Sequence, residues 1–365
     1  MPALKKIVVQ NFRNIAFQEL TFSPNVNCIS GNNGEGKTNL IDAIYYLSMT
    51  KSALSTTDKF NFRHGTDSFT VAGTYDMQNG LESRFSVQVR SDGDKKVKRD
   101  EKTYQRVSEH IGALPIVLVS PGDISMVSTS GDERRKFVNS VLSQMDKSYL
   151  AAVQQYNRYI LQRNHLLKGP SPDEDLLCAF DARLESLAVP VSESRRRFVD
   201  ALTPVVQDYY HELSGGKEEV SIEYVTDMDK GPLSETLLRH RDADRALKFT
   251  RAGVHRDDFV FMMDGYPIRK CGSQGQQKSF LVSLKFAQYE LMKESYGFAP
   301  ILLLDDLFDK LDMGRVSNLL SMVAGADFGQ IFLTDSNKVR LESIVDALTD
   351  DRSYFETSAG EFKKL

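Results

Sequence analysis

Tryptophan is absent from this chain, cysteine occurs only three times and histidine only six. Cys28, Cys178 and Cys271 are odd in number and far apart. That spacing excludes a C-x-x-C metal knuckle and argues against a disulfide framework, so a reducing cytoplasm is the expected compartment. No run of about 18 apolar residues is present, so no membrane span is expected. The N-terminus, MPALKKIVVQNF, alternates like a strand and lacks the apolar core of a signal peptide. An excess of positive charge is missing too: the formal net charge is −4. This argues against coating nucleic acid by bulk charge and leaves room only for a local basic face. Low-complexity tracts and internal repeats are also lacking. What remains is 365 residues of ordinary globular composition, 41% hydrophobic and 26% charged, enough for two or three domains.

The first third reads as strands and turns. KKIVVQNF, FQELTFSP and VNCIS are strand candidates, and residues 67–102 form a meander with turns at Gln78-Asn79-Gly80 and Ser91-Asp92-Gly93. LPIVLVSP is a short buried strand. The period then changes. Phe137, Val141, Met145, Tyr149, Val153, Tyr156, Ile160 and Leu167 recur at helical steps, as do Leu177, Leu184, Val191, Phe198, Leu202, Val206 and Leu213. Lys168-Gly-Pro-Ser-Pro172 separates the two runs, Pro190 is expected to kink the second, and Ser214-Gly215-Gly216 stops it. This predicts an antiparallel hairpin of two arms, each about 50 Å long. Then come a strand (EEVSIEYV), polar loops, and a hairpin turning at Asp264-Gly265. A helix over Gln274 to Lys293, a strand over Ile301 to Leu304, a helix near 314–323 and the strand QIFLTD follow. That β-α-β-α-β order is the arithmetic of a parallel sheet.

Between VNCIS and the helical LIDAIYYL lies GNNGEGKTN. Gly31, Gly36, Lys37 and Thr38 satisfy G-x-x-x-x-G-K-[ST] in the strand-to-helix context that a phosphate loop requires. Glycines let successive backbone N–H groups turn inward, and the helix start adds partial positive charge. The cofactor-binding set is therefore Gly31, Asn32, Asn33, Gly34, Glu35, Gly36, Lys37, Thr38 and Asn39. Lys37 reaches the outer phosphates and Thr38 ligates Mg²⁺. ILLLDD supplies the acids at a strand end: Asp305 for Mg²⁺, through its water shell, and Asp306 to orient or deprotonate the attacking water. In CGSQGQQKSF, Ser273, Gln274, Gly275 and Gln276 open a helix and offer a second anion site. GSQG is no G-x-S-x-G elbow, because the first glycine is replaced by Cys271. HRDD (His255 to Asp258) is no kinase loop, because Met262 stands where asparagine is needed. HRDD is expected to brace the site, to touch nucleic acid or to form a solvated loop with internal ion pairs.

NFRN, GNNGEGKTNLIDAIYYL, GDERRKFVNSVL, QRNHLLKG, GVHRDDFVF, GSQGQQKSF and LLLDDLFDKLD occur in this order over nearly the whole chain. In this the sequence resembles the RecF family, the SMC-like branch of the ABC-type ATPases. The resemblance implies an α/β fold: an ABC-type (SMC-like) P-loop ATPase head with a mixed sheet and an inserted antiparallel helical arm. The expected segments are 1–122 (head, N-terminal part), 123–216 (arm) and 217–365 (head, C-terminal part). It implies ATP and Mg²⁺ as cofactors and an ATP-dependent homodimer. In that dimer Ser273 to Gln276 of one copy caps nucleotide on the other, with Asp312 as the D-loop aspartate. It further implies binding to double-stranded DNA and to junctions at gaps, RecR and RecO as partners, RecA loading, and slow, DNA-stimulated hydrolysis that releases DNA. Three departures stand out: Asp306 replaces the usual Glu, Thr334 and Asp335 occupy the switch position in place of histidine, and Val254 replaces a proline.

Any DNA face has to come from sorted charge, since acids and bases nearly balance along the arm. Three clusters are candidates: Arg134, Arg135 and Lys136; Arg195, Arg196 and Arg197; and Lys95, Lys96, Lys98 and Arg99. Backbone contacts that weaken with salt are expected, without base readout. The alternatives are a transporter-type ATPase subunit, disfavoured by the long segment between phosphate loop and signature, and a chromosome-organising head, disfavoured by missing heptads. A scaffold without chemistry would lack the two acids. A related nuclease would need a second acidic cluster, for which the chain is too short.

Overall fold

A computed structural model describes residues 2–365 apart from 79, 130, 171, 307–327 and 347–348. Asp312 and the helix expected near 314–323 lie outside the described residues. The chain divides into two compact units, 1–123 with 285–365, and 124–284. Of the arm expected over 123–216, residues 124–216 fall in the second unit, and so do residues 217–284 of the segment expected as the C-terminal part of the head.

The first unit begins with β1 (Ala3–Phe12), β2 (Ile15–Thr21), β3 (Val26–Ser30), α1 (Lys37–Met49), β4 (Ser68–Asp76), β5 (Glu82–Arg90), β6 (Lys95–Arg99), β7 (Lys102–Thr103) and β8 (Ile116–Val119). The second contains α2 (Ile124–Ser128), α3 (Gly131–Met145), α4 (Lys147–Leu167), α5 (Glu174–Ser214), β9 (Val220–Val225), α6 (Leu233–Leu247), β10 (Asp258–Met263), β11 (Tyr266–Pro267), α7 (Ile268–Cys271) and the start of α8 (Gln274–Tyr296). β12 (Ile301–Leu304), β13 (Ile331–Asp335), α9 (Lys338–Val345), β14 (Arg352–Ser358) and β15 (Glu361–Lys364) return to the first.

Two six-stranded sheets build the first unit. One is antiparallel, in the order β2-β1-β4-β5-β6-β7. β5 alternates exposed and buried along its length, as a strand with one wet face must. The other runs β15-β14-β3-β13-β12-β8, parallel except for β15 at the edge. β3, β8, β12 and β13 are buried at every position; β8 and β12 read as continuous apolar runs, while β3 and β13 also bury Asn27, Ser30, Thr334 and Asp335. Leu40, Ile41, Ile44, Tyr46 and Leu47 of α1 share one core with residues of both sheets. Each such side chain contributes about 1.5–3 kcal/mol by leaving water. Phe12, Tyr46 and Phe69 pack edge to face with centroids 5.3–5.8 Å apart.

In the second unit the first expected arm is two helices. Asp146 leaves the helical region and its side chain accepts from the Ser148 N–H, capping α4. α4 is therefore about 30 Å long, against the 50 Å expected. α5 has 41 residues, about 60 Å, runs through Pro190 and Pro204, and ends at Gly215 with φ 73°. The polar stretch after β9 holds α6, whose burial rests chiefly on Leu233, Thr236, Leu237 and Asp244. So few apolar anchors hide a helix from a periodicity reading.

Candidate functional site

β3 enters the middle of the parallel sheet, between β14 and β13, and delivers residues 31–36 to its C-terminal edge. Ligands of open α/β sheets bind at that edge. Gly36, with φ 115°, starts α1 without any side-chain cap, and no acid stands in the first turn. A Cβ at Gly36 would lie 2.8 Å from Asn14 Nδ2, and one at Gly31 would lie 2.7 Å from the Thr357 carbonyl oxygen. Only glycine fits either position.

The loop is held from outside. The Glu35 carbonyl accepts from Asn14 Nδ2 at 3.2 Å, Thr357 Oγ1 at 3.2 Å and the Gly360 N–H at 2.8 Å. The chain's last hairpin, β14–β15, thus grips the phosphate-loop candidate. Asn39 does not face outward: its Nδ2 donates to Asn14 Oδ1 at 2.7 Å, and its Oδ1 accepts from Arg13 at 3.2 Å. Arg13 also pairs with buried Asp42 at 2.8 Å. Asn32, Asn33 and Gly34 are exposed at the loop tip.

Lys37 is 3% exposed, and its ammonium donates to the carbonyls of Gly31 at 2.8 Å and Asn32 at 3.1 Å. No carboxylate among the described residues pairs with it. Thr38 Oγ1 donates to Asp305 Oδ1 at 3.1 Å, joining the loop to the end of β12. Thr334 Oγ1 donates to the same oxygen at 2.7 Å and accepts the Asp306 N–H at 2.9 Å. Burial raises the Asp305 carboxyl above the usual carboxylate range; the hydrogen bonds from Thr334 and Thr38 act against the rise, and neighbouring Asp306 adds to it. Asp306 is half-buried and left-handed, with φ 44°.

These residues suit a phosphate chain and a divalent cation. A helix start without a side-chain cap, and a buried ammonium that makes no ion pair among the described residues, both call for an anion. Mg²⁺ commonly takes only one or two protein ligands beside phosphate oxygens, and Thr38 and Asp305 would hold it. Next to the loop a cavity of about 470 Å³ is lined by Arg13, Asn14, Leu54, Ser55, Phe60, Phe62 and His64. Sequence reading missed it, although Phe60 in a polar loop, 70% exposed, was the available signal.

Ser273 to Gln276 open α8 as a reciprocal cap. The Ser273 N–H donates to Gln276 Oε1 at 2.7 Å and the Gln276 N–H to Ser273 Oγ at 3.3 Å. Gln274 and Gly275 lie between them, Gln274 exposed and Gly275 half-buried, and Gln276 Nε2 donates to Glu218 at 2.7 Å.

The candidate DNA residues separate into two kinds. Arg134 is buried and forms a two-pronged pair with Asp258 at 2.8 and 3.0 Å. Arg195 is buried against Asp257 at 2.5 Å. Arg135 holds the Asp257 carbonyl and Asp132. The HRDD acids thus anchor helices of their own unit, and Arg134 and Arg195 lie off the surface. Lys95 is tied to Asp58 at 2.6 Å and to the Thr50 carbonyl at 2.9 Å. Lys96, Lys98, Arg99, Lys136, Arg196 and Arg197 keep exposed side chains or partial exposure, with surface partners where they have any.

A phosphate-loop motif on a parallel sheet, with a strand-end acid beside it, defines an α/β nucleotide-binding head of the ABC type. The RecF/RecN/SMC N-terminal domain profile matches residues 3–349. The chain belongs to the RecF family. It is 42% identical to the DNA replication and repair protein RecF of Parabacteroides distasonis over 362 residues, covering 99% of each. With RecF of Porphyromonas gingivalis it shares 40% over 359 residues, 98% of this chain and 99% of the relative. A solved RecF–ATP structure from the RecFOR pathway superposes with a TM-score of 0.90 at 29% identity, covering 100% of this chain and 98% of that one. The Smc head of Pyrococcus furiosus, bound to the C-terminal domain of ScpA, shares the fold alone, with a TM-score of 0.60 at 17% identity over 100% and 96% of the chains.

Proposed function

We propose that this chain is an ATP-dependent, DNA-binding switch of replication and gap repair. The observation that carries it is the join of Thr38 to Asp305 at 3.1 Å beside Lys37, a buried cation that makes no ion pair among the described residues. Gly31 to Thr38 bind the phosphates, with Asn39 bracing the loop. The base lies in the cavity beside Phe60 and Phe62, where an aromatic face suits a purine. Mg²⁺, when bound at Thr38 and Asp305, neutralises charge on the outer phosphates. Asp306 takes the proton of the attacking water. Its side chain is one methylene shorter than glutamate, which supports slow turnover.

Family membership supports the rest of the reading. ATP joins two copies, the start of α8 (Ser273 to Gln276) and Asp312 of each completing the site of the other. The dimer binds double-stranded DNA and junctions at gaps through phosphate contacts. RecO and RecR are its partners in loading RecA, and hydrolysis releases the DNA. Sedimentation with and without ATP, then with duplex, single-stranded and gapped DNA, tests the proposal. A dimer that forms only with ATP and holds duplex is the expected result. A monomer at saturating ATP and Mg²⁺ overturns it.

A further inference from the structure

β13 lies between β3 and β12, pairing Thr334 with Ile29 on one side and Leu333 with Leu304 on the other. Thr334 therefore stands beside the two acids that follow β12. It is fully buried, and a threonine does not exchange protons near neutral pH. Its single hydroxyl nevertheless touches both acids. The proton goes to Asp305 Oδ1 at 2.7 Å, which leaves a lone pair for the Asp306 N–H at 2.9 Å. The direction of each bond is fixed, since a carboxylate can only accept and an N–H can only donate.

Asp306 needs such a hold. Its φ of 44° lies in the left-handed region, which aspartate enters more readily than most side chains but still less readily than glycine. Strain of this kind persists only where the surroundings over-determine it. Asp305 is held from two sides, because Thr38 donates to the same oxygen at 3.1 Å. One hydroxyl thus sets the backbone turn that aims Asp306 and the placement of Asp305 against the phosphate loop.

We infer that Thr334 is a positioning residue for hydrolysis: it locks the left-handed turn at Asp306 and couples it to Asp305, so that turnover depends on it while nucleotide affinity does not. This rests on the ATPase reading above. Serine keeps both hydrogen bonds; valine keeps the shape and loses both, leaving the Asp306 N–H without this acceptor.

The test has three parts. Equilibrium ATP binding by the unaltered chain comes first; if it binds none, the nucleotide reading falls and this inference with it. Hydrogen exchange at the Asp306 amide of the unaltered chain is next, and needs no variant to fold. Slow exchange is expected, and exchange at the rate of an open loop overturns the lock. Thr334→Val and Thr334→Ser are then compared in turnover and ATP affinity. Valine is expected to lower kcat at least about tenfold with affinity changed less than about threefold, and serine to stay near the unaltered rate. ATP bound normally but turned over by the valine variant at the unaltered rate removes this inference alone. Equal losses in the two variants, or a loss confined to affinity, do the same.

Discussion

Lys37 is the residue on which nucleotide binding should turn. Its ammonium is buried against two carbonyls of its own loop, at 2.8 and 3.1 Å, which is a poor resting place for a full charge. Lys37→Ala should abolish ATP binding in equilibrium titration, and affinity equal to the unaltered chain would contradict its role. Asp306→Asn should bind ATP, hydrolyse it slowly and accumulate the dimer in sedimentation; normal turnover would remove Asp306 as the base. At Gly360, φ 85°, an added Cβ would lie 2.6 Å from the Asn14 carbonyl oxygen. Gly360→Ala should therefore loosen the loop and weaken ATP binding about tenfold or more, measured by titration, since misplacing a positioning group by an ångström is costly. The glycines and the lysine were legible as a motif because spacing alone defines it. Asn14, Thr357 and Gly360 were not, because they meet Glu35 from the two ends of the sequence.

At the scale of elements, clusters that look alike in sequence differ in kind. Arg134 and Arg195 are buried on Asp258 and Asp257, and removing one partner of such a pair strands the other charge. Arg195→Ala should cost about 3–5 kcal/mol in denaturant unfolding. Arg196→Ala, an exposed pair with Asp229, should cost less than about 1 kcal/mol. Equal losses would refute the distinction. His255 adds a pH signature: burial lowers it from 6.5 to about 4. The folded unit refuses a proton that the unfolded chain accepts, so its contribution is complete above 6.5 and drains away as pH falls to about 4. His255→Asn should flatten that part of the acid unfolding profile, by at most about 3 kcal/mol. A charge run in sequence does not say which side faces water, and here the packing of α3 and α5 decided it. Strands with all-apolar faces were legible; α6 was not, because its buried face has few apolar residues.

For the molecule as a whole, the ABC-type head and the helical insertion were legible from motif order and from the switch of period at about residue 130. The division between units was less so, because β9 and β10 pair with each other across α6. Ser273→Arg places bulk and charge at the exposed start of α8 and should leave ATP binding intact while preventing ATP-dependent dimerisation. A dimer that still forms removes capping across copies. Duplex affinity should fall steeply with salt and be indifferent to sequence.

β14, encoded at 352–358, pairs with β3, encoded at 26–30, and its hairpin holds the loop that β3 feeds. During translation the motif at residues 31–39 leaves the ribosome well before its support at residues 352–364. Nascent chains arrested before residue 352 should pass through an ATP resin unretained, whereas chains extended past residue 364 should be held.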